Sequence, residues 1–275
     1  MKFIRLATVV ALSTTILAGG ATAAFAEEAR KVTTEGEVQF RAFDPEEDGE
    51  GEENEVIPPV VDPDVIIEPT EPGSTGPLTI AYAPTLNFGK QVISNQDREY
   101  SMVAEMQALA NPDEEDDSPT EVPYVSFAQV QDTRGTNTGW DLKVSLSQFT
   151  ADTQNDTLTG AQITFLDPQI EYPGNTPTNA PEAHSNRLEL KPGTGSVTLM
   201  EAAATKGAGT SSVVWGDQAD LNDQFDDEEV DVVKNEAIVL SIPGSTAKDA
   251  ATYTSTLTWE LTATPDNEDT DEEDA

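Results

Sequence analysis

Apolar and polar residues alternate with a period of two in several segments between residues 78 and 265. The two longest segments have these apolar positions: Trp140, Leu142, Val144 and Leu146 in the first, and Tyr253, Leu257, Trp259, Leu261 and Ala263 in the second. Shorter segments at residues 161–165 and 238–242 show the same alternation. Because successive side chains of a strand point to opposite faces of a sheet, the pattern predicts β-strands that each bury one face.

Turn-forming dipeptides separate these segments. Pro-Gly pairs occur at residues 173–174, 192–193 and 243–244, and such pairs favour tight turns. Several short strands between turns predict an all-β fold, and we expect an antiparallel, β-sandwich-like domain over residues 77–265. Residues 100–112 and 199–209 fit either a short helix or a strand with a loop, and the sequence leaves that choice open.

Residues 1–26 have the form of a secretory signal peptide. Lys2 and Arg5 precede an apolar run at residues 6–17, and the segment ends in the small-residue site Ala24-Phe25-Ala26. The alternative is a retained membrane anchor, but the run is interrupted by Ser13, Thr14 and Thr15 and is shorter than the roughly 20 residues of a span. We therefore expect cleavage after Ala26, secretion, and no membrane span in the mature form.

The charge of the chain excludes several classes of partner. Acidic residues outnumber Lys and Arg by 52 to 14, which gives a net charge of −38. Nucleic acids and anionic lipid surfaces bind cationic proteins, so neither is expected as a partner. The chain has no cysteine, which removes thiol catalysis and disulfides and, for an exported protein, indicates a bacterial domain that is stabilised by its core alone.

Most of the acid lies outside the predicted strands. We expect residues 27–76 to be an acidic, proline-rich linker that is mostly disordered, and residues 266–275 to be an acidic, disordered tail. The apolar residues 56–57 and 65–67 leave edge-strand pairing or partner binding open, although we expect them to be linker residues. Acidic runs at residues 111–123 and 226–231 predict solvated loops. Weak calcium binding remains a minor alternative there, since no stretch has EF-hand spacing.

The chain offers little for catalysis. Its single histidine, His184, lies in the loop-like sequence PEAHSNR without a matching serine motif. One histidine cannot supply the ligands of a zinc site. The paired carboxylates of a glycosidase need burial to tune their pKa values, whereas the acids here cluster in polar segments. We expect neither enzymatic activity nor a cofactor.

Three segments, taken in order, resemble the WxL-domain proteins of low-GC Gram-positive bacteria. They are LTIAYAPTLNFGKQVIS at residues 78–94, VQDTRGTNTGWDLKVSLSQF at residues 130–149 and AIVLSIPGSTAKDATYTSTLTWELTATP at residues 237–265. The two motifs are Trp140 with Leu142 and Trp259 with Leu261. The acidic tail is a departure, because such domains commonly finish soon after the second motif. The resemblance implies an exported protein that is held non-covalently at the cell surface through peptidoglycan. It also implies assembly with WxL-interacting proteins and other WxL surface proteins.

Two hypotheses about function follow from that resemblance. In the first, the domain is a cell-wall-binding module with a short acidic stalk; in the second, it is a structural component that docks onto a partner protein and contacts the wall indirectly. Sedimentation with peptidoglycan freed of proteins and secondary polymers distinguishes them.

The motif residues have two physical interpretations. They form either an aromatic platform for sugar rings or part of the core. The apolar faces continue through Val144 and Leu257, which favours the core. We therefore expect both motifs to lie close together and largely buried in one domain, because residues 150–249 contain too few strands for two. Trp215, beside Gly216, is then the better candidate for an exposed aromatic side chain.

Overall fold

A computed structural model describes residues 37–41, 55–68, 76–112, 119–173 and 176–263. The architecture below belongs to the unit that comprises residues 40–275. The predicted signal peptide and the predicted acidic tail lie outside the described residues. No helix within the described ranges is long and apolar enough to cross a membrane.

The described part of the chain is built almost entirely from short strands. In order, they are β1 (Val65–Ile66), β2 (Leu78–Tyr82), β3 (Arg98–Val103), β4 (Glu105–Leu109), β5 (Glu121–Tyr124), β6 (Ser126–Asp132), β7 (Trp140–Leu146), β8 (Gln162–Leu166), β9 (Gln169–Glu171), β10 (Glu182–Ala183), β11 (Arg187–Leu190), β12 (Val197–Ala202), β13 (Gly209–Trp215), β14 (Lys234–Ile242) and β15 (Leu257–Ala263). A 3-10 helix at Pro177–Asn179 and helix α1 at Gln218–Asp226 complete the described elements.

The strands form four small antiparallel sheets. Sheet I has the order β2-β6-β13-β9, sheet II β11-β8-β14-β3, sheet III β10-β12-β7-β15 and sheet IV β1-β4-β5. They are arranged as a ring that resembles a propeller with four blades. The predicted all-β class with antiparallel pairing is confirmed. The predicted sandwich is not confirmed, because the strands divide among four sheets rather than two.

Sheet I separates two apolar cores. The main core is formed by sheets I, II and III, and its buried members include Val130, Val213, Ile163, Phe165, Trp140 and Leu142. The second core lies on the opposite face of sheet I, where Phe127 and Val214 pack with residues of sheet IV and of the segment before it. Because both of its faces are covered, β6 is buried at almost every position instead of at alternate ones.

The predicted disordered linker is wrong for residues 55–68. Val56, Val65 and Ile67 are buried in the second core, and Val65–Ile66 pairs with β4 as strand β1. The edge-strand alternative for residues 65–67 therefore describes this segment. Burial of these three branched apolar side chains offsets the conformational entropy that the segment loses when it becomes ordered, despite its prolines and acids.

The stretches left open between helix and strand are both strands. Residues 100–112 contribute to β3 and β4, and residues 199–209 contribute to β12 and β13. The helix lies instead at α1, which the sequence did not predict. Its N-terminus is capped by Asp217, whose side chain accepts a hydrogen bond from the Ala219 amide. Its only buried apolar residue is Leu221, so the sequence shows little helical periodicity.

Candidate functional site

The two Trp-x-Leu motifs lie on neighbouring strands of sheet III. Strand β7 pairs with β15 in antiparallel register, which places Leu142 opposite Leu261 and Trp259 opposite Val144. The prediction that both motifs belong to one domain and lie close together is confirmed. Their burial differs, however, because β7 is an interior strand of the sheet and β15 is an edge strand.

The first motif is part of the main core. Trp140 and Leu142 are completely buried, and the indole Nε1–H of Trp140 donates to the carbonyl oxygen of Gly207 at 3.0 Å. A Cβ at Gly207 would lie 2.7 Å from that indole nitrogen, and one at Gly139 would lie 2.2 Å from the carbonyl oxygen of Ala202. Both glycines also have positive φ, so only glycine allows the backbone to close around this tryptophan.

An ion pair fixes the loop that leads into the first motif. Arg134 Nη2 lies 2.7 Å from Asp132 Oδ2, and the same nitrogen donates to the carbonyl oxygen of Gly139 at 2.9 Å. The Arg134 Nε–H also donates to Asp132 Oδ1 at 2.9 Å. The bidentate pair is largely buried, and it orients the peptide immediately before Trp140. The motif and its flanking residues thus specify the fold.

The second motif is less buried than predicted. Trp259 and Leu261 are partly buried and pack against the main core, while Thr258, Glu260 and Thr262 of the same strand are exposed. The alternation along β15 is as predicted, but an edge strand has a neighbour on one side only, so its side chains keep contact with solvent. The core interpretation therefore describes Trp140 and Leu142 fully, and Trp259 and Leu261 in part.

The prediction that Trp215 is exposed is wrong. Its side chain has no solvent exposure, its ring centroid lies 4.8 Å from that of Phe165, and its Nε1–H donates to His184 Nε2 at 2.9 Å. Strand β13 lies between β6 and β9 in sheet I. An interior strand with both faces covered buries even a tryptophan that is followed by Gly216 and an acidic segment.

His184 has a structural role in this arrangement. Its Nε2 accepts from the Trp215 indole, so Nδ1 carries the proton and donates to the carbonyl oxygen of Ser185 at 2.6 Å. Burial lowers the pKa of this imidazole below its ordinary value. Protonation of Nε2 would place two N–H groups against each other, so the hydrogen bond requires the neutral ring.

A cleft of about 830 Å³ opens beside the start of β15. One wall is formed by residues 85–93, the irregular segment between β2 and β3, and the other by residues 248–257, which lead into β15. Its apolar and aromatic lining includes Leu86, Phe88, Tyr100, Phe149, Tyr253 and Leu257. The volume falls in the range of ligand pockets in proteins, about 300–1,000 Å³.

Lys248, in the second wall, is hydrogen-bonded to Ser94, the residue that follows the first wall. Its ammonium group donates to the carbonyl oxygens of Ser94 at 3.0 Å and Thr246 at 2.9 Å. Lys90 also lines the cleft and is exposed. At the rim, Val92 is 88% exposed and Ile93 is 55% exposed. Asp249 lines the cleft as well. The cleft therefore combines aromatic rings with two lysines and one carboxylate in a chain whose net charge is −38.

Glu105 anchors the beginning of the first wall. Its Oε1 accepts from the Thr85 amide at 3.0 Å and from the Tyr82 hydroxyl at 3.2 Å. Its Oε2 is buried and has no hydrogen-bond partner in the described part of the chain. Burial raises the pKa of Glu105 above its ordinary value, and burial together with this carboxyl raises that of Tyr82.

The acidic loops do not converge on a metal site in the described residues. Within those ranges, no group of three His, Asp or Glu side chains is arranged to hold a metal ion. The acidic run at residues 113–118 lies outside the described residues. Asp217, one of the acids near α1, serves as the cap of that helix.

Residue-by-residue reasoning missed the cleft, but a signal for it was present in the sequence. The walls belong to two of the three segments on which the family resemblance rests, residues 78–94 and 237–265. These segments are far apart in the chain and contain no catalytic or metal-binding pattern. Their apolar residues are indistinguishable from core residues until the pairing of β15 with β7 places them beside each other.

Comparison with curated proteins and with solved structures yields no match. The family model for the WxL domain, described as surface cell wall-binding, matches residues 27–265. The match begins well before residue 77, where the sequence placed the start of the domain, and it includes the packed residues 55–68. With nearly the whole chain matched, the protein belongs to the WxL domain surface cell wall-binding family.

Proposed function

We propose that this chain is held non-covalently at the bacterial cell surface by binding peptidoglycan in the cleft beside β15. Family membership supports attachment at the surface. The observation that carries the assignment to the cleft is the convergence of residues 85–93 and 248–257, from two family-like segments, on one aromatic-lined cavity. The first motif supports the site indirectly, because its buried residues hold β7 and, through it, β15.

The chemistry of the lining suits a glycan that carries peptides. Tyr100 and Tyr253 line the cleft with partly buried rings, and aromatic rings present flat apolar faces of the kind on which sugar rings stack. Stem peptides of peptidoglycan carry carboxylates, for which Lys90 provides a cation at the same site. We propose a binding module rather than an enzyme, and the structural role of its one histidine, whose two ring nitrogens are both hydrogen-bonded within the fold, supports this proposal.

A matched pair of variants tests the cleft. Thr252 is exposed and lines the cleft, so Thr252→Trp should fill it without disturbing the core. Thr258→Trp places the same side chain on the exposed face of β15 and serves as the control. The assay is sedimentation with peptidoglycan stripped of proteins and secondary polymers, with circular dichroism to verify folding. We expect Thr252→Trp to weaken binding at least about tenfold, equivalent to about 1.4 kcal/mol, and the control to bind normally. Equal binding by both variants would refute the assignment.

Docking onto a WxL-interacting or other surface protein is the second candidate function. The observation that favours it is the exposure of Val92 and Ile93 at the rim, since adjacent exposed apolar side chains often mark protein interfaces. Val92→Ser can be compared with Val61→Ser, because both valines are 88% exposed. If docking holds the chain, it should bind intact walls but not stripped peptidoglycan, and only Val92→Ser should weaken that binding.

A further inference from the structure

Residues 55–68 form an extended segment, here called the strap, that lies across sheets I and IV. Its backbone is held largely by side chains of the domain. The Ile57 amide donates to Gln129 Oε1 at 3.0 Å, and Gln129 Nε2 donates back to the Ile57 carbonyl oxygen at 2.6 Å. Gln131 Nε2 donates to the carbonyl oxygen of Glu55 at 2.8 Å. The side-chain amide of Gln129 thus reproduces the two-way hydrogen bonding of a neighbouring strand.

Tyr124 holds the middle of the strap in the same way. Its hydroxyl accepts from the Val60 amide at 2.8 Å and donates to the Val60 carbonyl oxygen at 2.5 Å. Burial is the main cause that raises the pKa of Tyr124, to about 12. The hydroxyl therefore keeps its proton at any physiological pH and remains able to donate. Gln129 and Tyr124 are both completely buried.

The end of the strap adds a strand to sheet IV. Val65 lies opposite Leu109, and Ile66 lies opposite Ala108. The side chains of Val56, Val65 and Ile67 enter the second core, whereas Ile57, Val61 and Ile66 point to solvent with exposures of 46%, 88% and 51%. The groove formed by Tyr124, Gln129, Gln131 and β4 is therefore a built site for an extended peptide. It recognises main-chain groups and a few branched apolar side chains.

We propose that the groove also accepts the strap of a second copy of this chain, so that neighbouring copies exchange straps. The one sequence shown to fit the groove is this chain's own residues 55–68, and every copy carries it. Exchange of an identical element keeps every contact that the strap makes within one molecule, so its cost in contact energy is small. Residues 69–77 join the strap to β2, and nine residues reach at most about 30 Å, so the exchanging copies must be adjacent.

Exchange competes with docking of the strap in its own molecule. A short connection gives the internal strap an effective concentration on the order of 1 mM, so internal docking dominates in dilute solution. Crowding of copies at a surface raises their local concentration towards that value. The net charge of −38 opposes close approach, and added salt should therefore promote exchange. The proposal does not depend on the cleft, because none of the strap residues lines it.

The absence of native cysteine makes a direct test available. Ile66 and Ala108 are exposed register partners on β1 and β4, and facing residues of antiparallel strands lie within disulfide reach. Ile66→Cys and Ala108→Cys are made as separate full-length chains with tags of different size, mixed, and oxidised. A covalent heterodimer in excess of the random-collision background then reports the strap of one chain on the groove of the other. Ser145→Cys mixed with Thr258→Cys is the control, because these are register partners of β7 and β15 outside the strap.

At about 1 mM protein we expect roughly half of the straps to be exchanged, and at about 10 μM roughly one in a hundred. The strap heterodimer should therefore exceed the control pair at least about tenfold at the higher concentration and rise further with salt. A chain carrying both Ile66→Cys and Ala108→Cys should form its disulfide internally in dilute solution, which verifies the geometry. If that internal disulfide forms and the mixed single variants stay at the control level at 1 mM, exchange is excluded. If the internal disulfide fails to form, Ile66 and Ala108 are not neighbours and the proposal is refuted.

Discussion

Replacing Trp140 by alanine should be among the most destabilising substitutions in this domain. A tryptophan buries about 150–250 Å² of surface, which at about 25 cal/mol per Å² corresponds to about 4–6 kcal/mol. Measured losses for large aromatic residues in cores are about 3–5 kcal/mol. Trp140 is completely buried, and its removal also deprives the Gly207 carbonyl oxygen of its donor. We expect a loss of about 4 kcal/mol, a large part of the usual 5–15 kcal/mol of a domain.

The equivalent change in the second motif should cost less. Trp259 lies on an edge strand and is only partly buried, so a smaller apolar area returns to water when it is removed. We expect Trp259→Ala to lower the free energy of unfolding by about 2 kcal/mol, roughly half of the loss at Trp140. Trp140→Phe keeps most of the apolar contact but not the indole donor, and it should cost about 1–3 kcal/mol.

Urea unfolding followed by far-ultraviolet circular dichroism measures these differences. The midpoint should fall while the slope of free energy against urea stays constant, since the folded states remain equally compact. The comparison between Trp140→Ala and Trp259→Ala carries the test, because their side chains are chemically identical. If Trp259→Ala loses as much stability as Trp140→Ala, the two tryptophans are equally buried. That result would refute the conclusion that the tryptophan on β15 is less buried than the one on β7.

Three further predictions concern single positions. Gly139→Ala should prevent folding or lower the melting temperature sharply, because its Cβ would lie 2.2 Å from the Ala202 carbonyl oxygen; a normal thermal melt would contradict this close approach. Glu105→Gln should stabilise the domain at neutral pH. Burial raises the pKa of Glu105, so the wild-type domain loses stability as pH rises through that raised value and the carboxyl ionises, whereas Gln stays neutral. The gain should vanish on acidification, and a variant less stable at pH 7 in urea unfolding would disprove the reasoning. The lowered pKa of His184 means that its neutral form contributes stability above its unfolded pKa of about 6.5, which is lost as pH falls towards the folded value. His184→Gln has no group that titrates in this range and should remove that part of the pH profile of the unfolding free energy, and an unchanged profile would show that another group causes the loss.

The sequence correctly predicted those strands that have one buried face and one more exposed face. In β7 the alternation is complete, because every second residue from Trp140 to Leu146 is buried and the residues between them are only partly buried. In β13 it fails, since Ser211, Ser212 and Val213 are all buried. An interior strand covered on both sides gives no alternation, and the burial of Trp215 could not be read from its neighbours in the sequence.

The strap escaped prediction for a different reason. Composition averages over a segment, and the prolines and acids around Val56 and Val65 outweigh those two valines in any such average. What orders the segment is the presence of specific acceptors and donors on Gln129 and Tyr124. These partners are more than 60 residues away in the sequence, and nothing in the local pattern reveals them. The walls of the cleft were hidden in the same way, because they become neighbours only through long-range strand pairing.

The pairing of β7 with β15 also sets the order in which the domain can assemble. Ser147 and Ser255, which hydrogen-bond beside this strand pair, are 108 residues apart. When a chain emerges with its N-terminus first, β7 becomes available for folding long before β15. Closing the long loop between these two strands is also slow compared with forming local turns. Until Leu257–Ala263 emerges, the apolar edge of β7 has no cover on that side. The main core therefore cannot be completed until β15, which lies near the end of the family match at residues 27–265, is available for pairing.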